Sequence, residues 1–397
     1  MKKVLATILA LVMALALCSV SWADATEVKT EAELTTAVSN GGEIKLGANI
    51  TLTSMLTIPA DKTVTLDLNG KTLTGSIVNK GKLTVTGTGS VVATAAGTAA
   101  VANFPGGTVT LSGGTYESAN WYVIKNMGEM YINGPVNVQK PAGSTDTSSL
   151  IDNGWVNGSD MVAGEAVAAQ ADKAKLVISS ESFKGVSGAK SCAVVKNDDY
   201  GVLEISGGTF DSTANNGPSN AATLLNWNVA RISGGTFRGM YPISNGAYNN
   251  DADKGQITIT GGEFIGTSTI FGNGQGGDGK GAVTVSGGTF TAPELGAVYD
   301  NVDAGYTLTV SGGTFKDTNG GKVDVSHYLA DGKQQNADGS VTTTSSGGYY
   351  YYQPTTDTKT TDTKGSPKTF DAGIALYVGM ALTSAAGVAF VGKKRED

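Results

Sequence analysis

Histidine occurs once in the 397 residues, at His327, arginine only at Arg231, Arg238 and Arg395, and cysteine only at Cys18 and Cys192. Each shortage excludes something. So few arginines, a net charge of −7 and a pI near 4.9 leave no basic stripe for a phosphate backbone, so nucleic acid is not an expected partner. Cys18 falls inside an apolar leader, and once that leader is removed Cys192 has no cysteine to pair with. Proline is sparse at 9, whereas glycine reaches 56 without a G-X-Y period, which excludes collagen. Regular apolar alternation argues against disorder.

The chain begins "MKKVLATILALVMALALCSVSWADA": Lys2 and Lys3, an apolar run, then small residues at Ala23 and Ala25. This is the pattern of a secretory signal peptide over 1–25, with cleavage after Ala23 or Ala25. Leu17 is too bulky for a typical lipobox, which argues against lipidation of Cys18. Cys192, in "KSCAVV", has no basic cluster beside it and reads as a small buried apolar residue.

An internal repeat governs the middle of the chain. "SGGTY" begins at Ser112 and "SGGTF" at Ser206, Ser233, Ser286 and Ser311, with a variant "TGGEF" at Thr260 and a worn copy "SSESF" at Ser179. From Ser179 the starts step by 27, 27, 27, 26 and 25 residues, a solenoid period. Before each copy, apolar and polar residues alternate, as in Leu203-Glu204-Ile205 and Ile257-Thr258-Ile259, which predicts a half-buried strand. The paired glycines permit a turn, and the aromatic after them (Tyr116, Phe183, Phe210, Phe237, Phe264, Phe290 or Phe315) returns to the interior. A second register ends in asparagine at Asn79, Asn126, Asn197, Asn226, Asn245, Asn273 and Asn301, which predicts an amide ladder along the stacking axis. A third short strand completes each coil.

These motifs resemble the right-handed parallel β-helix proteins of bacterial surfaces and of polysaccharide metabolism, over about residues 44–326. The implied fold is all-β, a right-handed solenoid of about ten coils, on the order of 50 Å long at the strand spacing. "TEAE" from Thr30 is a capping box, and residues 26–43 should carry a short helix, closed by Gly41 and Gly42, that plugs the first coil. Residues 327–343 lose the repeat and should close the far end.

The segment 344–365, with "TDTK" twice, is a Thr-rich linker. At 366–397 come "SPKTFD", an apolar stretch over 372–392 long enough to span a bilayer, and "KKR". This order resembles a Gram-positive sortase sorting signal, L-P-x-T-G, in which Pro367 and Thr369 match the motif, Lys368 fills its variable place, Ser366 stands in place of its leucine and Phe370 stands where the family has glycine. The resemblance implies cutting after Thr369 and attachment to a wall peptide by a sortase-type transpeptidase, with a single-span membrane anchor as the alternative. Both imply display on the cell surface.

Chemistry is sparsely signalled. "KNDDYG" offers Asp198 and Asp199 as a carboxylate pair, but no Gly-His-Gly exists, Arg238 has no matched acid in a neighbouring coil, and an Asp pair at a turn reads first as a solvated loop. Asp251 and Asp253 alternate before Gly255 as in calcium loops, and Asp278 lies in "GQGGDGKG"; both read first as solvent turns, so no cofactor is expected and calcium is the alternative. Trp121, Tyr122, Trp155 and Trp227 near coil corners are candidates for stacking on host or dietary glycans, with core packing the competing reading. Residues 154–175 interrupt the period, and their Ala-rich part is expected to be helical. The expected role is adhesin-like or glycan-binding and non-catalytic, with host or dietary glycans or host proteins as candidate partners, a polysaccharide lyase or glycoside hydrolase as the alternative and a passive spacer third.

Overall fold

The computed structural model describes residues 25–344 except 156–158, 171–173, 188–191, 215–221, 248–254, 273–280 and 297–305. The sorting motif Ser366 to Phe370, the apolar stretch 372–392, Ala23, and the calcium candidates Asp251, Asp253 and Asp278 lie outside the described residues; Ala25 is the first within them.

Three parallel sheets of 12, 9 and 11 strands wrap one core, giving a β-solenoid of about nine turns. One coil runs through Gly201–Ile205 in the first sheet, Thr209–Asp211 in the third and Ala222–Asn226 in the second, and then re-enters the first at Val229–Ile232. Like residues stack coil upon coil: Leu203, Ala230, Ile257, Val283 and Leu308 form one buried row, and Ile205, Ile232, Ile259, Val285 and Val310 the next. The alternate residues face out, so Glu204 lies directly opposite Arg231; Lys175, across the other neighbouring strand, comes within 3.7 Å of Glu204.

The two glycines of each corner serve different needs. The second takes a positive φ, from 92° to 108° at Gly208, Gly235, Gly262, Gly288 and Gly313, where a side chain would be strained. The first is needed for close approach between coils. A Cβ on Gly261 would sit 2.4 Å from the Ser233 carbonyl oxygen of the coil before it.

The aromatics stack as the repeat predicts. Phe210, Phe237, Phe264, Phe290 and Phe315 are fully buried, with successive ring centroids 4.5–5.0 Å apart and planes within 9°. Phe183 departs from the column. Its corner carries extra residues, so Gly185, not Phe183, pairs with Phe210, and the Phe183 ring meets Phe210 tilted by 43°. The asparagine ladder is present and longer than predicted, since Asn103 and Asn153 join it. Each Nδ2 from Asn79 to Asn226 donates to the next Oδ1, through Asn103, Asn126, Asn153, Asn197 and Asn226 to Asn245, at 2.7–2.8 Å. Asn273 and Asn301 lie outside the described residues.

At the N-terminal end, helix Glu31–Asn40 starts with the reciprocal Thr30/Glu33 capping box, ends at Gly41 and buries Leu34, Ala37 and Val38 against the first coil. At the other end, Ala330 N–H donates to the Val310 carbonyl. Strands Lys333–Gln335 and Val341–Thr343 then pair antiparallel with each other, so this segment closes the solenoid instead of adding another coil. His327 is exposed there.

The insertion corrects the helical expectation. It forms an antiparallel hairpin, Ser159–Val162 with Glu165–Ala168, turning through Ala163 and Gly164, both at positive φ. Alanine propensity is overridden because a strand pair can lay Val162 and Val167 together on the outer face of the second sheet, where both are buried.

Candidate functional site: a covered charge cluster and an open corner groove

Each second-sheet strand points its first and third residues inward, so the middle one faces out. Along the stack these middle residues are Val78, Ala102, Lys125, Asp152, Lys196, Leu225 and Ser244. Three consecutive coils therefore place Lys125, Asp152 and Lys196 side by side on a face that the hairpin covers. The inner side of the hairpin contributes Val162, Val167 and two acids: Asp160 reaches Lys125 at 2.7 Å, and Glu165 reaches Lys80 at 2.7 Å.

Lys125 and Asp152 are in direct contact with both side chains at 0 % exposure, and Lys125 Nζ also donates to the Gly154 carbonyl at 2.9 Å. The Tyr122 ring centroid lies 5.4 Å from Nζ. Asp198, at 0 % exposure, enters from the turn after Asn197, and its carboxyl adjoins that of Asp152. Lys196 Nζ comes within 2.8 Å of Asp198 Oδ1, close enough for an ion pair but not aligned for a hydrogen bond. Neither Asp198 oxygen nor Asp152 Oδ1 meets an aligned donor among the described residues.

Burial, followed by the charge of Asp152, pushes the Asp198 carboxyl well above the usual carboxylate range, against the opposing pull of Lys196 and Lys125. Burial works against the Lys125 cation, but the carboxylates of Asp152, Asp198 and Asp160 outweigh it and hold its pKa above the ordinary lysine value. The site therefore pairs a water-excluded ammonium–carboxylate contact with a second carboxyl disposed to keep its proton.

This overturns the solvated-loop reading of "KNDDYG", because Asp198 and Asp199 are both buried. The reading of Arg238 also changes: it comes within 3.8 Å of Glu263 in the next coil. The four candidate aromatics gather around the second sheet's outer face, and two of them cannot offer a stacking surface. Trp155 is fully buried, donates its indole N–H to the Val167 carbonyl and meets Tyr200 edge-on. Trp227 is buried, with Lys196 Nζ 4.3 Å from its ring centroid. Trp121 and Tyr122 stay half-buried, their centroids 4.9 Å apart. Cys192 is buried, as expected.

A second candidate lies in the open. Where the first sheet turns into the third, a groove of about 430 Å³ runs across four coils, lined by Val177, Glu204, Ser206, Arg231, Ser233 and Thr260 among others. A similar groove of about 410 Å³ occupies the same corner of earlier coils, around Thr88, Ser112 and Asn137. Gly87, Gly89, Gly113 and Gly114 line the second groove, where bare backbone leaves room beside the outward side chains; no glycine lines the first.

Among the described residues no group of three or more His, Cys, Asp or Glu could hold a metal ion, and no helix is long and apolar enough to cross a membrane. Comparison with known proteins finds no matching family model, no matching curated protein and no matching solved structure.

Proposed function

We propose that this is a cell-surface-displayed solenoid that binds extended glycans along its glycine corner without cleaving them. The observation that carries this reading is the 430 Å³ groove, in which hydroxyls recur at coil spacing at Ser206, Ser233 and Thr260, beside a row of Glu204, Arg231 and Thr258. Hydroxyl-rich polymers are recognised by such groups, and a lining that repeats per coil suits a ligand that repeats per unit. Display is supported by the leader over 1–25 and by the "SPKTFD"–apolar–"KKR" order at the C-terminus, with a sortase-type transpeptidase and a wall peptide as the partners of anchoring.

A glycan lyase or hydrolase is the second reading, favoured by the adjoining carboxyls of Asp152 and Asp198, one of them disposed to stay protonated. It ranks second because both carboxyls are fully buried beneath the hairpin, out of reach of a polysaccharide.

The test is a glycan array probed with the full chain, alongside reducing-sugar release from the bound glycans. Binding without release, weakened about tenfold or more by Arg231→Ala through loss of a charge-assisted hydrogen bond, is the expected result. Sugar release that Asp198→Asn abolishes would install the enzyme reading instead. Neither binding nor release would leave a passive spacer.

A further inference from the structure

Lys125 and Asp152 sit directly opposite each other on adjacent strands, Ile124–Asn126 and Ile151–Asn153. Their amine and carboxyl touch with no water access, Asp198 adjoins the carboxyl, Gly154 accepts from Nζ, and Asp160 lies within ion-pair distance of it. As an ion pair this is an expensive arrangement. Two full charges are desolvated while one Asp152 oxygen and both Asp198 oxygens lack aligned donors. A neutral amide between the same two residues would remove both charges and leave one N–H, which the Gly154 carbonyl is placed to accept.

We propose that Lys125 and Asp152 join in an intramolecular amide, Nζ to Cγ, with Asp198 as the proton carrier. The neighbouring carboxylates favour the Lys125 ammonium, so the reactive neutral pair is reached by an uphill proton transfer from that ammonium to the Asp152 carboxylate, and exclusion of water lowers the cost of the transfer. The amine lone pair then attacks Asp152 Cγ. Asp198, in its protonated form, hydrogen-bonds to the carboxyl and gives its proton to the departing oxygen, and it recovers a proton from the nitrogen. One N–C bond forms, one C–O bond breaks and one water leaves. No oxidant, nucleotide or second protein is consumed. Burial of Asp198 favours its protonated form, which holds the required proton beside the Asp152 carboxyl. Lys196 is a different case: it retains some exposure and lies over Trp227, so it should remain a free amine.

The digestion pattern of the full chain tests this directly. Trypsin cannot cut after an acylated lysine, and Pro141 blocks the site after Lys140. The denatured chain should therefore yield a single peptide spanning residues 83–173, one water lighter than its sequence, whose fragmentation places a bridge between Lys125 and Asp152. A cyclised aspartate would lose the same water but leave the bond after Lys125 cleavable, giving separate 83–125 and 126–173 peptides; that pattern, or the two peptides at full mass from folded protein, overturns the proposal. Asp198→Asn, which keeps the shape but cannot ionise, should restore both peptides at full mass, and persistence of the bridge in it would overturn the role given to Asp198. Asp152→Asn supplies a further chemical check, since the same bridged product should form with loss of ammonia in place of water. Failure of that variant to form the bridge, in folded protein, would count against attack at Cγ.

Discussion

Asn153 donates its side-chain amide to Asn197 Oδ1 at 2.8 Å across 44 residues of sequence, although the neighbouring rungs of the ladder are 19–29 residues apart. The hairpin is thus looped out and the coils on either side of it remain in step. Asn197 is the rung that receives this bond and passes another to Asn226 at 2.7 Å. Asn197→Ala should strip a partner from both neighbours in a water-free row and cost about 1–3 kcal/mol for each group left unsatisfied. Chemical denaturation measures it, and a loss within the scatter of ordinary surface changes would contradict the role of the ladder.

Phe237 stacks between Phe210 and Phe264 with no exposure. Phe237→Ala should open a cavity in the column and destabilise by about 3–5 kcal/mol in the same assay. Phe237→Leu, which refills part of the space, should recover part of that loss.

The corner glycines separate two physical effects. Gly235→Ala forces a side chain onto φ 92° and should cost about 1–2 kcal/mol. Gly234→Ala keeps an ordinary φ but drives its Cβ to 2.2 Å from the Ser206 carbonyl, so the coil before must move and the loss should be larger. Equal melting temperatures for the two variants would contradict this ordering.

Asp198 makes a signed pH prediction. Its folded pKa is raised, chiefly by burial, so the folded chain holds that proton more tightly than the unfolded chain, whose value is near 3.8. Its contribution to stability is therefore present in full below that value and lost as pH rises toward the folded pKa. Compared with Asp198→Asn, the parent should lose relative stability as pH is raised from about 4 toward neutrality. The opposite slope would mean that Lys196 and Lys125 outweigh burial. Because burial is the leading cause, the sign holds whether Asp152 is ionised or amidated.

On the proposed wall attachment, Thr369 is the residue that decides anchoring. If "SPKTFD" is a transpeptidase substrate, Thr369→Ala should stay in the membrane fraction, while the parent is released only by wall-digesting enzymes and ends at Thr369 joined to a wall peptide. If Phe370 prevents cutting, parent and variant will both extract with detergent and retain "KKRED".

The repeat made the strands, the paired glycines, the phenylalanine column and most of the ladder legible, because each recurs at one spacing in one sequence. What escaped notice has specific causes. The shift at Phe183 arises from extra corner residues that leave the motif spacing intact, and only strand pairing reveals it. Asn103 and Asn153 follow "VA" and "ID", a weaker apolar signature than their neighbours have. The charge cluster was missed because Lys125, Asp152 and Asp198 lie far apart in sequence and meet only after the hairpin is set aside. A signal did exist: the residue before the ladder asparagine reads Lys, Asp, Lys in "IKN", "IDN" and "VKN", an alternation of sign that stacking turns into contact. The hairpin itself was obscured by alanine, whose helical preference lost to the apolar face beneath.

The sameness of the coils after Ser206 has a consequence for how such a chain can change. Excising 206–232 would join Ile205 to Ser233, which recreates the same corner and brings the strand ending in Asn197 onto the one ending in Asn245. Exchange at the shared "SGGTF" corners would therefore add or remove whole coils. Both capped ends would still meet the neighbours they were shaped for. The length of the solenoid would then be heritable, altered in steps of one coil without redesigning the protein.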